Sequence, residues 1–243
     1  MNQNSLHQPL SRRQSAWRAI LPVLLSLPFA GVAVAQSASQ EAGKQIAAQG
    51  TPQGVAACAS CHGAKGEGNA AFPRLAGTGE AYLQAQLEAF GNGSRKNPVM
   101  QPMAEKLTPE QRLAVAAYYS RLPAPMSASD MATAKPADAG AWLATRGRGK
   151  DQLPACAQCH GPGGSGVGTT FPPLAGLPAA YITAQLQAWK AGTRPPGPMA
   201  LMVSVAKKLS DPDISAVAAY YAALAPSAGP VAVAQTGTKK GQP

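Results

Sequence analysis

Four cysteines and three histidines supply all the thiol and imidazole chemistry of this 243-residue chain. The cysteines fall in two tight pairs, each followed at once by a histidine: Cys58-Ala59-Ser60-Cys61-His62 and Cys156-Ala157-Gln158-Cys159-His160. That spacing has a specific chemical logic. Two thiols add to the two vinyl groups of a haem, and the adjacent imidazole becomes an axial ligand of its iron. A zinc site needs four nitrogen or sulfur ligands closed around the ion, and each motif offers three. A thioredoxin-like redox pair needs a βαβ pattern around it, and none is present. Disulfides within the pairs would leave both histidines unexplained, and a disulfide scaffold would spread its cysteines to tie distant segments together.

A low-spin, electron-carrying haem takes a second axial ligand on its far face. His7 lies in an N-terminal segment that reads as a cleaved export signal, so no histidine is left in the exported chain after the two motifs; methionine is then the available residue, and it raises the potential. Met100 and Met103 in the first half, and Met199 and Met202 in the second, lie in Pro-rich loops suited to bending back over a haem. Aligning Leu107 with Leu209 pairs Met100 with Met202 and sets Met103 opposite Val205, so symmetry selects Met100 and Met202. Met126 and Met131 fall between the halves and are expected to ligate nothing.

These residues must be positioned by two copies of one module. The Cys-x-x-Cys-His motif recurs at an offset of 98 residues. Phe72-Pro73-Arg74-Leu75-Ala76-Gly77 returns as Phe171-Pro172-Pro173-Leu174-Ala175-Gly176, and Tyr82-Leu83-x-Ala85-Gln86-Leu87 as Tyr181-Ile182-x-Ala184-Gln185-Leu186, both at 99. Ala114-Val115-Ala116-Ala117-Tyr118-Tyr119 returns as Ala216-Val217-Ala218-Ala219-Tyr220-Tyr221 at 102, so the added residues lie in loops. Apolar spacing of three and four predicts an all-α fold with three helices per copy: around 43–49, 80–90 and 108–122, then 140–146, 179–189 and 210–224. Thr108-Pro109-Glu110 and Ser210-Asp211-Pro212-Asp213 read as helix starts, with a hydroxyl cap followed by proline in the first turn. The tyrosine pairs are expected to pack the third helix against the first, and Trp142 and Trp189 to be core.

Arg12, Arg13 and Arg18 precede an apolar run ending in Ala33-Val34-Ala35, the pattern of an export signal cleaved after Ala35. The expected divisions are a signal at 1–35, a first domain at 36–123, a linker at 124–138, a second domain at 139–226 and a disordered tail at 227–243. Export places the protein in the periplasm. With 25 glycines, 23 prolines and 5% aromatic residues, a side-chain core in each small domain would be thin, and a buried haem would fill it. Removing the signal leaves 18 basic against 11 acidic residues, a net +7, most of it in the second half. Such a charge suits an acidic protein partner or peripheral association with an anionic membrane. Nucleic acid is excluded as a partner, because no arginine-rich helix or basic-aromatic patch accompanies the charge.

Each half resembles a class I cytochrome c, and the tandem pair resembles the dihaem cytochrome c4 family. The likeness rests on Cys-x-x-Cys-His-Gly, Phe-Pro-x-Leu-Ala-Gly, Tyr82 or Tyr181, the Met-bearing segment and the Ala-Ala-Tyr-Tyr helix, and it covers nearly the whole exported chain. It implies two covalently bound haem c groups, each in a small helical lobe. It further implies that the carbonyls of Pro73 and Pro172 accept a bond from the proximal histidines, and that Arg95 and Arg194 approach haem propionates. The one visible departure within the repeat is Arg74 against Pro173, which lets the two haem environments differ. With iron closed by His and Met, the expected function is electron transfer in a respiratory chain, between a quinol-oxidising complex and a terminal oxidase. The alternative is the electron-accepting subunit of a periplasmic dehydrogenase. A dihaem peroxidase would require one haem to lack its methionine.

Overall fold

The computed structural model describes residues 30–124 and 138–224, with side chains from residue 38 onward. Most of the expected signal, the interior of the linker and the tail lie outside the described residues. Those described form ten α-helices and no β-strand, with three isolated bridges tying loops. Lobe one holds α1 (Ala30–Gln49), α2 (Ala59–His62), α3 (Glu80–Gly91), α4 (Met100–Glu105) and α5 (Pro109–Arg121). Lobe two repeats them as α6 (Ala139–Arg146), α7 (Ala157–His160), α8 (Ala179–Lys190), α9 (Leu201–Lys207) and α10 (Asp211–Ala223). No described helix is long and apolar enough to cross a membrane.

The all-α expectation and the three main helices per lobe are borne out, with two differences. The first helix starts at Ala30 rather than near Gly43, because the alanine-rich stretch around the expected cleavage point favours helix on its own. The methionine-bearing segments are helical where loops were expected, as α4 and α9. Both third helices begin with the anticipated caps. Thr108 with Gln111, and Ser210 with Asp213, form reciprocal capping boxes that satisfy first-turn amides.

In each lobe the first helix crosses the last at a glycine. A Cβ on Gly43 would lie 2.1 Å from the Ala114 carbonyl oxygen, and one on Gly140 would lie 2.2 Å from that of Ala216. Only glycine lets the two backbones approach so closely. Tyr118 meets Gly43 at this crossing, as expected, but Tyr119 turns inward and is buried at the centre of the lobe. Trp189 packs on the lobe-two core, whereas Trp142 is 52% exposed beneath the Arg146 guanidinium and is not core.

Lobe two carries an ion pair that lobe one lacks. Arg148 contacts both Asp151 and Asp213, reaching Asp213 at 3.0 Å; Gln111 stands at the equivalent place in lobe one. The Arg148 hydrogen bonds hold the Asp213 carboxyl down at about 2. Because the folded value lies below the unfolded one of about 3.9, this stabilisation is complete above pH ~4 and disappears as pH falls through ~2. Acid unfolding followed by far-UV circular dichroism is therefore expected to lose a component between pH ~4 and ~2. Asp213→Asn should abolish that component, and Glu105→Gln, on the exposed face of α4, should leave it.

Candidate haem sites

Each site is built on one turn of helix. In α2 and α7 the second cysteine and the histidine fall on the short helical turn, with Cys58 and Cys156 at its start. The first cysteine, second cysteine and histidine are thereby brought together on one side of each lobe. All four cysteines are free. Burial pushes the Cys58 and Cys156 thiols up, so they sit uncharged.

The histidines are oriented from behind. His62 Nδ1 donates to the carbonyl of Pro73 at 2.7 Å, and His160 Nδ1 to that of Pro172 at 2.7 Å. A carbonyl can only accept, so the proton sits on Nδ1 and the lone pair on Nε2 faces the other way. Phe72 and Phe171 pack edge-on against the two imidazoles. Burial lowers both imidazoles, against the opposing pull of the proline carbonyls, and so favours the neutral form that a metal binds. The Nε2 of His62 is fully buried and has no partner.

His62 lines a cavity of about 1000 Å³ together with Cys58, Cys61, Met100 and Met103. The donor set fits the group the motif implies. Two thiols stand beside an imidazole lone pair that has nothing else to bind, in a mostly apolar space too large for side chains to have filled. The segment carrying Met100 is held by Asn97, whose Oδ1 accepts from the amides of Val99 and Met100 at 2.9 Å each. This anchor was not anticipated, although Asn-Pro just before a helix is a readable capping signal.

Lobe two enters the equivalent helix differently. Met199 and Ala200 take left-handed backbone conformations to turn the chain into α9, leaving Met199 84% exposed and Met202 partly buried on the lobe core. Ala104 and Ala206 are both fully buried at equivalent places, which supports the register that pairs Met100 with Met202.

Arg95 and Arg194 are buried between the lobes and interlock across them. Arg95 donates to Gln86 of its own lobe at 2.8 Å, and to Gln185 and the Tyr181 hydroxyl of the other at 2.7 and 3.3 Å. Arg194 mirrors this with Gln185 at 3.0 Å, then Gln86 and Tyr82 at 2.9 and 3.1 Å. Each guanidinium also covers an aromatic ring of its own lobe, Phe90 at 4.4 Å and Trp189 at 3.8 Å. Burial lowers Arg194. Burial opposes ionisation of Tyr82, but the two guanidiniums outweigh it and lower that hydroxyl. Both arginines line the lobe-one cavity, so lobe two contributes a cation to the surroundings of the first haem. Gln86, Gln185 and the two tyrosines were visible as repeated positions, but nothing in one copy told of a partner in the other.

The Cytochrome c family model matches residues 40–122 and 147–225. A protein of Stutzerimonas stutzeri (strain A1501) described as a thiosulfate dehydrogenase electron acceptor is 46% identical over 201 residues, spanning 80% of this chain and 93% of the relative. Cytochrome c4 of Pseudomonas aeruginosa is 34% identical over 210 residues, spanning 85% and 98%. Among solved structures, thiosulfate dehydrogenase (TsdBA) of Marichromatium purpuratum in its as-isolated form superposes with a TM-score of 0.66 at 46% identity. That match spans 75% of this chain and 39% of the longer one.

Proposed function

Because the chain belongs to the cytochrome c family, we propose that it accepts single electrons from a periplasmic dehydrogenase acting on a sulfur compound and passes them toward a terminal oxidase. It is an electron-transfer protein with two covalently bound haem c groups, on Cys58 and Cys61 and on Cys156 and Cys159. It is not a catalytic subunit. The acceptor role is carried by the similarity to a thiosulfate dehydrogenase electron acceptor, at 46% identity against 34% for cytochrome c4. The cytochrome c4 relatives favour a second reading, in which electrons arrive from a quinol-oxidising complex.

The bound haems supply one-electron cycling between ferric and ferrous iron. The residues of this chain then decide what kind of centre that is. His62 and His160 present a neutral Nε2 from one side, with the Pro73 and Pro172 carbonyls fixing the ring and raising its basicity. Met100 and Met202 would supply the second iron ligand of each haem, which would leave no position for a substrate and would favour the reduced form. The Arg95–Arg194 interlock fixes the lobes against each other, so that little rearrangement accompanies a change of charge. We place cleavage after Ala35 and the domains at 36–123 and 139–226. The basic excess of the second half would steer the protein to an acidic face of its partner.

The test is stopped-flow mixing of the oxidised protein with thiosulfate and the catalytic subunit of a thiosulfate dehydrogenase. Both haems are expected to become reduced, at a rate that falls as salt is raised. Reduction no faster than with thiosulfate alone, alongside rapid reduction by a quinol-oxidising complex, would replace this reading with the second.

A further inference from the structure

A second cavity, of about 500 Å³ and open to solvent, lies away from the cysteines and is lined from both lobes. Lobe one contributes Arg74, the residue that breaks the repeat. Its side chain is buried, at 8% exposure, and its Nε is fully enclosed with no partner. Among the described residues no acidic group comes within ion-pair distance of it, and burial lowers the guanidinium to about 10. A buried, unpaired cation of this kind is costly unless an anion joins it.

Lobe two contributes the start of α8, a helix of 12 residues, with Pro178, Ala179 and Ala180 on the cavity wall. Proline at the cap position has no side-chain acceptor, and α8 has no side-chain cap. No partner is found among the described residues for the amides of Ala179, Ala180 and Tyr181. The first-turn residues of α8, at the positive end of its dipole and with amides that have no partner among the described residues, thus line the same cavity as an unpaired guanidinium.

The repeat supplies an internal comparison. At the start of α3 in lobe one, the equivalent amide of Tyr82 is already taken by the Thr169 carbonyl at 2.9 Å, and a Cβ on Gly79 would lie 2.3 Å from that same oxygen. The residue equivalent to Arg74 is Pro173, which brings no charge. One end of the pseudo-symmetric interface is filled by protein, and the other is left open and positive.

We propose that the Arg74 cavity is a binding site for one small, doubly charged inorganic oxyanion per molecule, held between the Arg74 guanidinium and the first-turn amides of α8. The opposing charge is Glu67, whose exposed carboxylate is on the rim and accepts from the Lys65 amide at 2.8 Å. It weakens the site without closing it. Asn69, also on the wall, spends its side chain on Cys61, Ala71 and Phe72 and is not free to bind. Because Arg74 adjoins Pro73, whose carbonyl orients His62, neutralising it by a bound anion lowers the potential of the first haem and leaves the second nearly unchanged.

The test is calorimetric titration of the intact dihaem protein with sulfate, and separately with thiosulfate, at constant ionic strength. Perchlorate serves as a control of similar shape and single charge. One site per chain is expected, with both dianions binding more tightly than perchlorate. Arg74→Gln should weaken binding by about tenfold or more, and Glu67→Gln should tighten it severalfold. Ala179→Pro removes an amide donor at a position where helices tolerate proline, and should weaken binding even if Arg74→Gln fails to fold. If thiosulfate alone binds, the site is specific to sulfur donors; if both bind alike, it reads charge and shape. Either result upholds an oxyanion site. The absence of saturable binding, as would follow if a haem propionate already paired with Arg74, overturns it. So does affinity unchanged in both Glu67→Gln and Ala179→Pro.

Discussion

A chain carrying Cys156→Ala and Cys159→Ala is expected to mature with one haem instead of two, measured by the pyridine haemochrome assay and by intact mass. The loss follows from chemistry, since the thioether bonds of the second haem then have no sulfur on either side. A structural loss follows from packing. Cys156 and Met202 pack against the buried lobe-two core of Leu143, Leu186, Ile214 and Tyr221, so a haem missing from beside them removes apolar contacts from that core, a loss of the kind that destabilises large-to-small core variants. Lobe two should therefore melt well below lobe one. The damage should cross the interface, because Arg95 would lose its bonds to Tyr181 and Gln185 and be left as a buried cation with fewer partners. The first haem is expected to stay attached. Both haems present by mass would mean that attachment does not depend on these cysteines.

Met100→Ala is expected to abolish the methionine-to-iron absorption band of the first haem and to lower its potential by on the order of 100 mV, with Met202→Ala doing the same to the second. Met103→Ala should do neither. Met103 also lines the lobe-one cavity and packs on the lobe core, so proximity does not separate the two residues. The repeat does. The residue opposite Met103 is Val205, which has no lone pair to give, whereas the residue opposite Met100 is Met202. The Met103 variant instead tests packing, and is expected to cost about 1–3 kcal/mol of stability in a denaturant titration with the potential unmoved. A band lost in Met103→Ala and retained in Met100→Ala would reverse the assignment.

The two haem motifs, the duplication and the main helices were all legible in the sequence, because each is a local pattern. Cys-x-x-Cys-His needs only one turn of helix to work, and the capping boxes at Thr108 and Ser210 span four residues each. The proline carbonyls behind His62 and His160 were reached through family likeness, being 11 and 12 residues away. The interlock between the lobes was not legible. Arg95 finds Tyr181 and Gln185, and Arg194 finds Tyr82 and Gln86, across separations of 86 to 112 residues that no periodicity encodes. Trp142 departs from the expected core role because it sits on a short helix whose outer side faces solvent. Prolines dominate the local signal of the Met-bearing segments and suggest loops, yet Pro98 precedes α4 and Pro102 falls in its first turn, where no amide is lost.

The most direct measurement of the central claim is a spectroelectrochemical titration of the intact protein, reading the α-band and the methionine-to-iron band together. Two one-electron steps per chain are expected, with both ferric haems low-spin and each showing the methionine band before reduction. A high-spin ferric haem in the resting protein, or a second step without a methionine band, would contradict the closed His/Met coordination from which the electron-carrier role is argued.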